Sequence, residues 1–82
     1  MKQVKLTPNE WNGNITKEVQ LEEKCLFNSY FQTGAYLVVT RYDGIYELEW
    51  HRGIGDQLLK RAKRLSTINK VANQYGIEFV LD

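Results

Sequence analysis

Tyr36-Leu37-Val38-Val39-Thr40-Arg41-Tyr42-Asp43-Gly44-Ile45-Tyr46-Glu47-Leu48-Glu49-Trp50-His51 is the stretch that decides the fold. Two β-rich runs flank Asp43-Gly44, a dipeptide that tolerates the positive φ angles of a two-residue hairpin loop. Such a loop sets Tyr42 opposite Ile45, and pairing then runs outward residue by residue. One face carries Leu37, Val39 and Arg41 against Trp50, Leu48 and Tyr46. The other carries Tyr36, Val38, Thr40 and Tyr42 against His51, Glu49, Glu47 and Ile45. The first is the core face, because its paired positions are apolar except for Arg41 near the turn. The second is amphipathic and at least half wet.

Beyond the hairpin, Arg52-Gly53-Ile54-Gly55 breaks the strand. Ile54, Leu58, Ala62, Leu65, Ile68, Ala72 and Tyr75 then recur at steps of three and four, and this spacing predicts one helix over about 54–75. Asp56 suits the helix start and Gly76 the position just past its end. The opposite helical face would hold Lys60, Lys63, Arg64, Thr67, Lys70 and Gln74, with Arg61 on its flank. Ile77-Glu78-Phe79-Val80-Leu81 reads as a closing strand with Ile77, Phe79 and Leu81 on one side.

Towards the N-terminus, Val4 and Leu6 alternate with polar neighbours in a short half-buried strand. Thr7, Pro8 and Glu10 match the cap, first and third positions of a helix start, with Leu6 and Trp11 placed to staple. Asn12-Gly13-Asn14 limits that element to about one turn. Over residues 15–24, the placing of Ile15, Val19 and Leu21 suits a strand, whereas the Glu, Lys and Gln content suits a helix. The sheet character on both sides tips this segment to strand. Leu26 to Gln32 reads as a further strand, ended by Thr33-Gly34. The expected architecture is one α+β domain over residues 1–82. It has a small, mainly antiparallel sheet with hairpin 36–51 at its centre, packed against one long helix (about 54–75), and a closing strand at 77–81.

The chain has 82 residues, room for a single core, and a net charge of +1. No global field therefore draws it to nucleic acid or an anionic membrane. The charge is segregated: Glu10 to Lys24 holds four Glu and two Lys, while Arg52 to Lys70 holds six Lys or Arg against Asp56 alone. Cys25 has no second cysteine to pair with, which suits a reducing compartment and reads as a small apolar core residue. Met1 to Leu6 has no apolar core of signal-peptide length, and the longest apolar run, Ala35 to Val39, is far too short to span a bilayer. Asn14-Ile15-Thr16 matches a glycosylation acceptor by chance in such a context. A cytoplasmic location without membrane contact is the expectation.

Catalytic patterns are sparse. One His and one Cys cannot build a four-ligand Cys/His zinc site within the monomer. Glu47, Glu49 and His51 share a strand face and could hold a metal ion, or His51 could act as a base oriented by Glu49; a solvated strand face explains them more simply. Ser29 and Ser66 lack a nucleophile-elbow context. Gly53-Ile54-Gly55 lacks the third glycine of a dinucleotide turn and the Lys of a P-loop, and Asp56 would repel phosphate. No enzyme, cofactor or metal site is expected.

Two interaction surfaces remain. Tyr36, Val38, Tyr42 and Ile45 make the wet face of the hairpin more apolar than solvation requires, which fits a protein partner. A second layer formed by residues 15–32 folding over that face would account for the same pattern. An exposed sheet edge could pair with a partner strand or a second copy, giving a homodimer. Lys60, Arg61, Lys63, Arg64 and Lys70, with Arg52 assisting, could instead track nucleic-acid phosphates, although a solvated helix face that keeps a small protein soluble explains them somewhat better. A chain this short without an enzyme motif resembles in general style the accessory proteins of bacteria and their phages. The leading expectation is a non-enzymatic protein that binds another protein through the Tyr-bearing hairpin face or the sheet edge, with nucleic-acid binding as the alternative.

Overall fold

Asp43 and Gly44 both take positive φ, 53° and 76°, as a type I′ loop requires, and the hairpin forms in the register set by that loop. β1 (Lys2–Leu6), β2 (Ile15–Gln20), β3 (Tyr36–Tyr42), β4 (Ile45–Arg52), β5 (Gly55–Ala62) and β6 (Ile77–Leu81) are joined by helix α1 (Leu65–Ala72) between β5 and β6. The computed structural model describes residues 1–21 and 34–82. Tyr42 pairs with Ile45, Leu48 with Val39 and His51 with Tyr36. β2 lies antiparallel to β3 on one side and β5 antiparallel to β4 on the other, so the four-stranded sheet runs β2-β3-β4-β5. β1 and β6 form a separate parallel pair. The α+β class, the mainly antiparallel sheet and the closing strand stand as the sequence reads.

The core collects one face of every element. Leu37, Val39, Tyr46 and Leu48 of the hairpin meet Ile15 and Val19 of β2, Val4 and Leu6 of β1, Ile77 and Phe79 of β6, and Ile68 and Ala72 of α1. Helix α1 packs on β4, β5 and β6, while β1 runs beside β2. Arg41, the one charge in the hairpin's core-facing row, sits with its guanidinium 5.4 Å from the centre of the Tyr46 ring. That contact lets a cation close the rim of the core.

The chain ends are tied together. Lys2 donates its backbone N–H to the Gly76 carbonyl and Asp82 donates to the Leu6 carbonyl, both at 2.9 Å. Among the described residues, the side of β6 away from β1 is held by a side chain instead of a strand. Asn69 of α1 donates through Nδ2 to the Phe79 carbonyl and accepts the Phe79 N–H at Oδ1, each at 2.8 Å. This amide substitutes for one residue of a neighbouring strand and satisfies a backbone pair that would otherwise be left at an edge.

Two expectations need correction. The long helix over 54–75 does not exist in its first half: residues 55–62 are strand β5, and the helix begins at Leu65 and ends in one 3-10 turn over Asn73–Tyr75. Gln57, Leu58, Leu59, Lys60, Arg61 and Ala62 are all good helix formers, but propensity amounts to tenths of a kcal/mol per residue. Pairing with β4 satisfies that strand's second row of backbone groups and overrides it. Gly53 at φ 58° with Ile54 forms a two-residue loop between the paired Arg52 and Gly55, the Gly-X pattern of a type II′ hairpin. The Leu65, Ile68 and Ala72 part of the apolar stripe does face the core side, with Ile68 and Ala72 fully covered.

The second correction concerns residues 7–14, which make a turn and no helix. Asn9 accepts the Trp11 N–H at Oδ1 (2.8 Å) and Asn12 accepts the Asn14 N–H at Oδ1 (2.9 Å). These local side-chain bonds compete with a helical turn too short to repay its nucleation. Leu6 is buried and Trp11 is 94% exposed, so no staple forms. Of the alternative second layer of residues 15–32 over the hairpin's second face, only residues 15–21 are described. Residues 15–20 pair in the plane of the sheet as β2 and do not fold over it, and residues 22–33, which include Cys25 and the expected strand at 26–32, lie outside the described residues.

Candidate functional site

The sheet has two faces and two edges, and the features unlike a plain structural surface gather on one edge. Strand β5 is eight residues long and pairs with β4 on its inner side. Among the described residues no strand pairs with its outer side. Its burial is low throughout, with Leu58 at 52% exposure and Ile54, at the tip of the β4–β5 loop, fully exposed. Apolar side chains beside an unpaired row of backbone donors and acceptors are the elements of strand-addition binding.

Register with β4 sorts the β5 side chains. Asp56 opposes His51, Leu58 opposes Glu49 and Arg61 opposes Glu47, which places all three on the open face. Gln57 opposes Trp50 and Ala62 opposes Tyr46 on the core side. The ladder shifts at Leu48/Glu49, where Leu59 is the extra residue of a bulge and packs on the core. A bulge resets which side each residue faces. Here it returns Arg61 to the open face, where its Nε lies 3.6 Å from Glu47 Oε1.

The expected hairpin patch is only partly open. Tyr36, Val38, Tyr42 and Ile45 do share the face away from the core. Val38 is 9% exposed, however, and Tyr36 stacks on His51 at 5.1 Å between ring centres. Tyr42 is 53% exposed and its hydroxyl lies 3.4 Å from Thr16 Oγ1. Ile45 is half-buried beside it. Thus Tyr42 is the open member of the four, at the turn end of the sheet. It borders a shallow polar depression of about 460 Å³ lined by Thr7, Asn9, Asn12, Asn14 and Thr16.

The basic set does not lie on one helical face. Lys60 and Arg61 are in β5, Lys63 and Arg64 are in the connection to α1, and Lys70 is on α1. Arg52 ends β4 at the opposite end of the β4–β5 pair from Ala62 and Lys63. Lys60, Lys63, Arg64 and Lys70 are exposed, and among the described residues they form no ion pair. Lys60, Arg61, Lys63 and Arg64 stay close along the chain; Arg52 is separated from them.

Glu47, Glu49 and His51 do not converge. His51 Nε2 lies 3.3 Å from Glu49 Oε2, while Glu47 turns to Arg61. Among the described residues no group of three or more His, Cys, Asp or Glu is placed to hold a metal ion. No helix there is long and apolar enough to cross a membrane. Sequence reasoning missed Ile54, Asp56 and Leu58 as surface features because it put them in a helix. Gly53-Ile54 is compatible with a hairpin loop, but the apolar spacing and helix-forming residues after it point the other way, so no local signal singles these residues out. Comparison with protein-family models, curated proteins and solved structures finds no match to this chain.

Proposed function

We propose that this protein is a non-enzymatic interaction module that takes an extended protein segment along the outer edge of β5. One observation carries the reading: an eight-residue edge strand, unpaired outward among the described residues, displays Leu58 and leads from the exposed Ile54. Backbone groups on such an edge supply affinity, and alternate side chains supply selectivity. Tyr42 and Ile45, across the open face, extend the contact for a partner wider than one strand.

The test is a selection of random peptides on the immobilised protein, followed by amide exchange on the complex. Selected peptides should be extended, should protect β5 amides, and should lose binding to Leu58→Asp while that variant keeps its fold. Protection confined to another surface, or no peptide emerging at all, removes the reading.

The alternative is nucleic-acid binding through Lys60, Arg61, Lys63 and Arg64, with Lys70 and Arg52 outside that cluster. It is favoured by the exposure of three cations, Lys60, Lys63 and Arg64, without ion pairs among the described residues. Such binding would weaken steeply as salt rises and vanish in a Lys60/Lys63/Arg64 to Glu triple variant. Absence of any DNA or RNA shift at low salt ends it.

A further inference from the structure

The open face of β5 reads, at equal ladder steps, acid, apolar, base. Asp56, Leu58 and Arg61 oppose His51, Glu49 and Glu47, which are successive same-face positions of β4. In the bare sequence Asp56 is two residues before Leu58 and Arg61 three after it. Leu59, the bulge residue, absorbs the difference, so in register with β4 both charges stand two positions from Leu58.

A row with that symmetry is complementary to itself when reversed. Laid antiparallel on a second β5 with Leu58 against Leu58, each Asp56 stands across from an Arg61, twice. Gln57 then meets the bulged Leu59-Lys60 pair on the other side of the sheet. Laid parallel, Asp56 meets Asp56 and Arg61 meets Arg61, an arrangement penalised by like-charge repulsion between directly opposed residues. Charged residues on an edge strand usually discourage pairing with anything. In this order they discriminate, admitting the antiparallel copy.

Resting on the reading of β5 as the interaction edge, we infer that its partner is a second copy of this chain. The two β5 strands pair antiparallel about a two-fold axis at Leu58 and join two four-stranded sheets into one. Asp56 is exposed and makes no ion pair among the described residues. Arg61 meets Glu47 through Nε at 3.6 Å with its side chain 61% exposed, so its guanidinium is within reach of the carboxylate of the copy. The shared edge is one strand per subunit, smaller than an interface of standard size, roughly 1,600 Å². The dimer is therefore reversible and depends on protein concentration.

Sedimentation equilibrium over a wide concentration range, with amide exchange at low and high concentration, tests this. The wild-type chain should reach twice the monomer mass and gain protection in β5 as concentration rises. Asp56→Arg and Arg61→Asp should each raise the dissociation constant about tenfold or more, because two attractive pairs become repulsive. The double reversal should restore the dimer, which a merely destabilised fold would not do; melting curves for all three variants check folding. A chain that stays monomeric overturns the dimer, and if selected peptides still protect β5 the edge reading survives without it. A dimer indifferent to both single reversals, with protection elsewhere, overturns the β5 dimer, and if no selected peptide protects β5 the edge reading falls with it.

Discussion

The β3–β4 and β4–β5 hairpins share a strand and a two-residue loop, yet they differ in almost everything else. The first buries Leu37, Val39, Tyr46 and Leu48 and sits in the middle of the sheet. The second carries its outer strand at the sheet edge among the described residues, with Gly55, Asp56, Gln57 and Leu58 all exposed. In the first, local pattern and tertiary burial agree, because alternation and the Asp43-Gly44 loop demand the same structure. In the second they disagree, and the need of β4 for a partner outweighs the helix preference of β5. Of the residues whose local preference is overruled, Leu59 and Ala62 pack on the core, while Asp56, Leu58 and Arg61 keep side chains that the core does not use. Those side chains are where an interaction surface can be written at little cost to folding.

The largest expected effect tests the asymmetry directly. Leu48→Ala, which empties a fully buried site between β3 and β5, should destabilise by about 2–5 kcal/mol in denaturant unfolding. A loss under 1 kcal/mol would mean that the hairpin is not the centre of the core. Next comes Asn69→Ala, which removes both bonds to Phe79 and should cost about 1–3 kcal/mol, with faster exchange along β6 and little change in β3. Equal effects on both strands would show that the Asn69 clip is not local.

Gly53→Ala should cost about 1 kcal/mol, since Gly53 has φ 58° where a Cβ is strained although the space around it is empty. Its signature should be raised exchange in β5 with β3–β4 intact, separating the two hairpins. If both loosen together, they form one cooperative unit. The smallest effect is expected at Leu58→Gln, within about 0.5 kcal/mol, because the side chain is exposed and has no core role. A large loss there would make β5 structural, not a surface for partners.

Much of this molecule was legible in order along the chain. Gly76 at φ 75° after the helix, the strand at 77–81 and the alternation of Val4 and Leu6 are local signals, and each holds. The candidate surface was legible only in part. Tyr42 is open as its place on the hairpin suggests, but Val38 is covered and Tyr36 is stacked on His51. Strand alternation assigns a side, not the degree of cover on that side. The basic residues were recognised as a group, yet their arrangement on a helical face followed from a periodicity that residues 55–62 do not obey.

By itself the chain determined the hairpin, its register and its buried row, because a two-residue loop and a period of two leave one way to hide the apolar side chains. It also determined where the helix ends and where the final strand begins. The tertiary structure alone decided that 55–62 would be a strand, that a bulge at Leu59 would space Asp56 and Arg61 evenly about Leu58, and that β1 would lie parallel to β6. Each of those outcomes depends on backbone groups that are distant in sequence and must find partners once the core has closed, and no local pattern of side chains encodes that requirement.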